Sequence, residues 1–117
     1  MINKNIKNVQ TMIGEDVIID GPVELNNGII VYGKIKGNIK TKGPVRLAKS
    51  AIVKGDIIGG DIRIGGQVDG NISSNGQVSL LKTCILKGDI IYRKLIIEDG
   101  AKFEGKCDMI SVEPNPD

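Results

Sequence analysis

Histidine and tryptophan are absent from this chain of 117 residues, and phenylalanine occurs once. Without histidine, neither a Ser/His/Asp triad nor a His-based metal centre can be assembled. With only two tyrosines beside Phe103, there is no aromatic set to stack on nucleic-acid bases. No apolar run approaches the ~20 residues that cross a bilayer, and the opening "MINKNIKNVQ" has no hydrophobic stretch of signal-peptide length. The expectation is a cytoplasmic protein without a transmembrane segment. Net charge is only +2, too small for an obligate nucleic-acid binder. Cys84 and Cys107 have no metal-ligand spacing and are expected to be buried free thiols.

What the chain does contain is Ile, Val, Leu and 16 glycines, a mixture suited to thin, repetitive β-structure. "AIVKGDI" at 51–57 returns as "CILKGDI" at 84–90, and "IIVYGKIKGNI" at 29–39 returns as "IRIGGQVDGNI" at 62–72, each after 33 residues. The shared unit is apolar-x-Gly-x-apolar, centred on Gly21, Gly37, Gly55, Gly70, Gly88 and Gly105, at spacings of 16, 18, 15, 18 and 17. Upstream of each glycine lies a second alternating pair: Thr11/Ile13, Ile29/Val31, Val45/Leu47, Ile62/Ile64, Val78/Leu80 and Leu95/Ile97. The echo at 33 is therefore two cycles of about 17 residues, long and short in rough alternation.

The period of two within each cycle is strand patterning, and no helical period fits. Ankyrin repeats share the 33-residue length but need helices, which the glycines and β-branched residues oppose. A constant short interval that returns to the same place describes a coil. Each cycle makes one turn of short strands, and equivalent residues stack about 4.8 Å apart. The predicted fold is all-β: a parallel β-helix (β-solenoid) of about six turns over residues 11–110, with short flexible tails at 1–10 and 111–117. The inward columns are Ile19, Ile35, Val53, Val68, Leu86, Phe103 and Val23, Ile39, Ile57, Ile72, Ile90, Cys107. The irregular steps lean toward a right-handed coil but leave the hand open. The glycines are expected at bends or at positive φ, and Asp56, Asp69 and Asp89 are read as corner residues.

"TMIGEDVIIDGPV" (11–23), with "IKGNI", "VKGDI" and "LKGDI", resembles the bactofilins, polymer-forming bacterial cytoskeletal proteins, over Thr11 to Cys107. The resemblance implies a right-handed parallel β-helix that assembles end to end without nucleotide. It also implies like-to-like ends and hence non-polar filaments, often at the inner face of the cytoplasmic membrane, serving cell shape, cell-wall enzymes or other polar complexes. The alternative class is a non-polymerising β-solenoid scaffold that recruits a partner protein. An enzyme is not expected. Hexapeptide-repeat acyltransferases and related carbonic anhydrases share the solenoid pattern but need histidine. "IGGDIRIGGQ" (58–67) lacks the Lys-Ser/Thr of a phosphate loop. No catalytic residue, cofactor or metal ligand is assigned.

Open solenoid ends carry unpaired strand groups over exposed core, and no capping turn is evident in the pattern. The expected polymer interface is Leu95, Ile97 and Phe103 at one end, with Thr11, Ile13 and Val17 at the other. Phe103 either contacts a neighbouring subunit or simply plugs the end of the core. Ile18, Ile52 and Ile85 share one outward position on alternate turns, with Lys34, Gln67 and Lys102 between, and they suit lateral contact or are ordinary scattered aliphatics. Ile58 and Ile91 are also expected outside. Met1, Ile2, Lys4, Ile6 and Lys7 suit a short amphipathic membrane contact, strengthened by multivalency in a filament, or else an unstructured tail or a strap over the first turn. Lys34, Lys36, Lys40, Lys42, Arg46, Lys49 and Lys54, uninterrupted by acids, read as a solvated band ahead of a phosphate-binding one.

Overall fold

A computed structural model describes residues 9–110, with side chains from 11 to 110. The chain winds through three parallel sheets that form the faces of a prism. The first face holds Val9–Ile13, Gly28–Val31, Val45–Leu47, Ile62–Ile64, Gln77–Leu80 and Lys94–Ile97. The second holds Ile18–Asp20, Lys34–Lys36, Ile52–Lys54, Gln67–Asp69, Ile85–Lys87 and Lys102–Glu104. The third holds Val23–Glu24, Ile39–Lys40, Ile57–Gly59, Ile72–Ser74, Ile90–Tyr92 and Cys107–Met109. Each strand pairs only with its counterparts one turn below and one turn above, so sheets of six strands become six stacked turns. The expected columns stack in register, as in Ile19↔Ile35↔Val53↔Val68↔Leu86↔Phe103.

Alternation decides what each strand buries. In Lys34–Lys36 and Val45–Leu47 the apolar residues are inside and the charged ones outside. The fully buried apolar side chains run from Ile29 to Ile90, each contributing roughly 1.5–3 kcal/mol by leaving water. Ile58 and Ile91 face out, as expected, beside buried Ile57 and Ile90.

The corner between second and third faces is a ladder of glycines. Its six members have φ from 139° to 158°, a region that side chains reach only with strain. From Gly37 upward, a Cβ on any of them would strike the carbonyl of the glycine one turn below. Beside it runs a second ladder, built from the residues that follow the glycines. The backbone N–H groups of Asp56, Asn71, Asp89 and Lys106 donate to Oδ1 of Asn38, Asp56, Asn71 and Asp89, at 2.8–3.1 Å. Asp69 is no corner residue. It lies outward on the second face between Lys54 and Lys87.

The corner between first and second faces explains the echo at 33. Four residues turn at 14–17, 48–51, 81–84 and 98–101, each closed by an N–H donated to the carbonyl three residues back, at 2.8–3.1 Å. Two residues suffice at 32–33 and 65–66, between the longer corners. Gly33 and Gly66 fit there because a Cβ would run into carbonyls of the longer corner below. Thr41 and Ser74 satisfy the third corner from inside, donating to the carbonyls of Asn27 and Gly60 and accepting from the N–H of Gly43 and Gly76.

Candidate functional site

The stack leaves an open surface at each end. In the first turn Thr11, Ile13, Ile19, Val23 and Leu25 are only half-buried, and Val17 is 38% exposed. In the last turn Leu95, Ala101, Phe103 and Cys107 are half-buried, while Ile97 and Met109 are 48% and 65% exposed. Residues that would be sealed in any middle turn here meet solvent, because strands on one side of them are missing. Both groups of expected interface residues, Thr11/Ile13/Val17 and Leu95/Ile97/Phe103, lie at these ends. Phe103 continues the column above Leu86 and packs on the core, leaving part of its ring free.

Two residues of the ends were missed in the sequence. Leu25 and Met109 belong to a further column on the third face, with Thr41, Gly59, Ser74 and Tyr92 between them. The polar and glycine members hide the apolar pattern. The signal was the alternation itself, Val23-x-Leu25 and Cys107-x-Met109.

The rims of the ends differ in charge. Glu15, Asp16, Asp20 and Glu24 lie between Thr11 and Leu25 with no base. The last turn mixes Lys94, Lys102 and Lys106 with Glu98, Asp99, Glu104 and Asp108. The corner ladder also ends differently: Pro22 has no N–H to donate, and Lys106 has no side-chain acceptor to offer a further turn.

Cys84 is buried and free, and burial pushes its thiol up to about 11. Cys107 is free but only half-buried, against the expectation, because the last turn has nothing stacked above it. Its thiol is raised by desolvation and by the neighbouring Asp108 carboxylate. The basic band divides among the faces and corners. Lys34, Lys36 and Lys54 stand on the second face, Lys40 on the third and Arg46 on the first, with Lys42 and Lys49 at corners. Ile18, Ile52 and Ile85 alternate down the second face with Lys34, Gln67 and Lys102. The tail residues Met1, Ile2, Lys4, Ile6 and Lys7 lie outside the described residues. Among the described residues no three His, Cys, Asp or Glu side chains gather to hold a metal ion.

A six-turn prism with two uncovered apolar ends is the form of a subunit that adds to its own kind. The family model for bactofilins, described as polymer-forming cytoskeletal, matches residues 11–108, and the chain belongs to that family. It is therefore a structural protein and not an enzyme. It is 35% identical over 99 residues to bactofilin BacO of Myxococcus xanthus, covering 85% of this chain and 79% of that one. The structure matches the cytoskeletal bactofilin BacA solved by solid-state NMR, with a TM-score of 0.76 and 27% identity, over 90% of this chain and 99% of that one. It also matches the fold of the subunit in Thermus thermophilus bactofilin double helical filaments, with a TM-score of 0.82 at 22% identity, over 86% of this chain and 99% of that one.

Proposed function

We propose that this bactofilin polymerises through its two apolar ends without nucleotide, first-turn end to first-turn end and last-turn end to last-turn end, giving non-polar filaments. The observation that carries the reading is the half-buried state of both terminal turns. Like-to-like contact is supported by what the alternative would require. Head-to-tail stacking in register would extend the column from Asp20 to Glu104 onto the next Asp20, and the column from Glu24 to Asp108 onto the next Glu24. Like charges directly opposed across strands destabilise; in like-to-like order acid meets acid at the first-turn junction alone, since the last turn mixes lysines with its acids. It would also set Pro22 of the next subunit over Lys106, a pair that cannot continue the hydrogen-bonded ladder. The filament works in the cytoplasm, held to the inner face of the membrane by many copies of the N-terminal tail. There it scaffolds cell-shape or cell-wall machinery.

Cross-linking through a rim thiol tests the polarity. Asp108→Cys places a thiol on the exposed rim of the last turn, outside the proposed junction, with Cys107 replaced by Ser and Cys84 kept as the buried, unreactive control. A flexible bis-maleimide that spans the rod's cross-section but not a subunit's length should convert filaments into covalent dimers, and Cys107→Ser alone should give none. Head-to-tail order would separate successive rim thiols by a whole subunit, about 30 Å, and dimers would not form. Salt is a second handle. The acidic first-turn rims repel when they meet, and screening relieves this. Ultracentrifugation without nucleotide should therefore give more pelletable polymer at 0.3 M than at ~0.01 M ionic strength. The opposite trend would argue against first-turn contacts.

A further inference from the structure

We infer that the second face docks a second copy of this chain, antiparallel and offset by one turn. This deepens the lateral role expected of Ile18, Ile52 and Ile85. It rests on the end-to-end reading only for its strength.

The second face presents two outward columns. One is Ile18, Lys34, Ile52, Gln67, Ile85, Lys102, and the other is Asp20, Lys36, Lys54, Asp69, Lys87, Glu104. When two such faces meet about a two-fold axis that lies in the interface and crosses the rods at right angles, each column opposes itself in reverse order. Full overlap would set Asp20 against Glu104 and Lys36 against Lys87, both like-charged. Centring the axis on the third turn changes every partner. Ile18 meets Ile85, Ile52 meets its own copy, Asp20 meets Lys87, and Lys36 meets Asp69, each contact occurring twice except the central one.

Among the registers that overlap four turns or more, this is the one in which both columns match. Sliding two turns from full overlap in the other direction pairs Lys54 with Glu104 and Asp69 with Lys87, but it sets Ile52 against Lys102 and Ile85 against Gln67. The one discord in the matched register is Lys54, which meets its own copy on the axis. Ile18 is 65% exposed, and Asp20, Lys36, Asp69 and Lys87 are all exposed. Among the described residues these four charged groups have no intramolecular ion pair, so they are available to a partner.

The footprint is small. A face three residues wide and five overlapping turns long is about 10 Å by 24 Å, far below the ~800 Å² per partner of a stable complex. Two isolated rods should separate, whereas filaments gain by multivalency, meeting in this register at every second subunit because like-to-like order reverses the offset in the subunits between.

The test is negative-stain microscopy of wild-type filaments and variants, with low-speed pelleting as a measure of lateral association. Wild type should give paired filaments at low salt that come apart into single ones as salt rises. Lys36→Asp should give single filaments of undiminished length, and Lys36→Asp combined with Asp69→Lys should restore pairing. Lys54→Gln should tighten pairing several-fold, an effect that general stickiness of the face does not produce. Single filaments from the wild type at every salt, or a double variant that stays unpaired, would overturn the inference and leave end-to-end assembly intact. If no filaments form, end-to-end assembly fails on its own. Sedimentation equilibrium of the rods then decides the docking: dimers that the charge swap breaks and restores uphold it, and their absence overturns it.

Discussion

Phe103→Arg is expected to abolish filaments and leave dimers joined at their first turns. Phe103 tops an inward column above Leu86 and is half-buried only because no turn stacks above it. A last-turn junction would finish burying two such rings, each gaining about half of the roughly 1.5–3 kcal/mol of full burial. An arginine in that place removes the gain and adds an unpaired charge to be desolvated. A loss of at least ~3 kcal/mol per junction is more than a hundredfold in association. The fold should survive, since the change lies in the last turn and outside the fully buried core between Ile29 and Ile90.

Ile13→Arg is the mirror experiment, leaving dimers joined at their last turns. Mixing the two variants separates the polarities. Like-to-like ends give two kinds of homodimer and nothing longer. Head-to-tail ends give monomers from each variant alone and heterodimers from the mixture. Analytical ultracentrifugation reads all four species. Filaments that persisted in Phe103→Arg, Ile97→Arg and Met109→Arg alike would refute the last-turn interface.

The second large effect is on the fold itself. Gly70→Ala should cost on the order of 3 kcal/mol or more, a large share of the 5–15 kcal/mol that holds a domain of this size. Two costs add. The backbone at Gly70 has φ 157°, where an L side chain costs about 1–3 kcal/mol. The new Cβ would also strike the carbonyl oxygen of Gly55, a backbone atom held by its own stacked strand, so overpacking adds roughly 1–3 kcal/mol. Gly21→Ala provides the control. Its φ is 139°, yet a Cβ there meets nothing within 4 Å because no turn lies beneath. Thermal unfolding should show Gly70→Ala well below Gly21→Ala. Equal melting temperatures would mean that stacking contact contributes nothing and that backbone strain is the whole effect.

This difference between contact and conformation also marks what could be read in advance. The columns were legible because glycine at a stacked corner and β-branched residues inside a thin coil leave almost no choice of register, and Ile35 over Ile19 follows from counting. The ladder from Asn38 to Lys106 was not legible. Asn and Asp at a corner have many uses, and only coordinates reveal that each side chain accepts from the turn above. The column through Thr41 and Ser74 was hidden because two hydroxyls bonded to corner carbonyls break the apolar pattern that marks an inside position. Asp69 went astray for a related reason. It resembles Asp56 in the repeat but precedes its glycine, which places it on a strand, while Asp56 follows one. Among the ends, Phe103 was conspicuous by rarity, whereas Leu25 and Met109 needed the third face to be seen whole.

Because a long corner and a short one together make up the unit of 33 residues, the molecule also has a natural quantum of size. Excision of residues 35–67 would join Lys34 to Val68, and Val68 would inherit the place of Ile35 above Ile19. Each residue left without its partner would meet the equivalent one: Ser74 would take the place of Thr41 over Asn27, and Asn71 would follow Pro22 as Asn38 did. The product expected is a folded rod of four turns with both ends unchanged, and its filaments should show a subunit repeat shorter by about 10 Å. In-frame gain or loss of one such segment lets a lineage reset the spacing of its polymer, as a tape is cut at its printed marks, without inventing a new end.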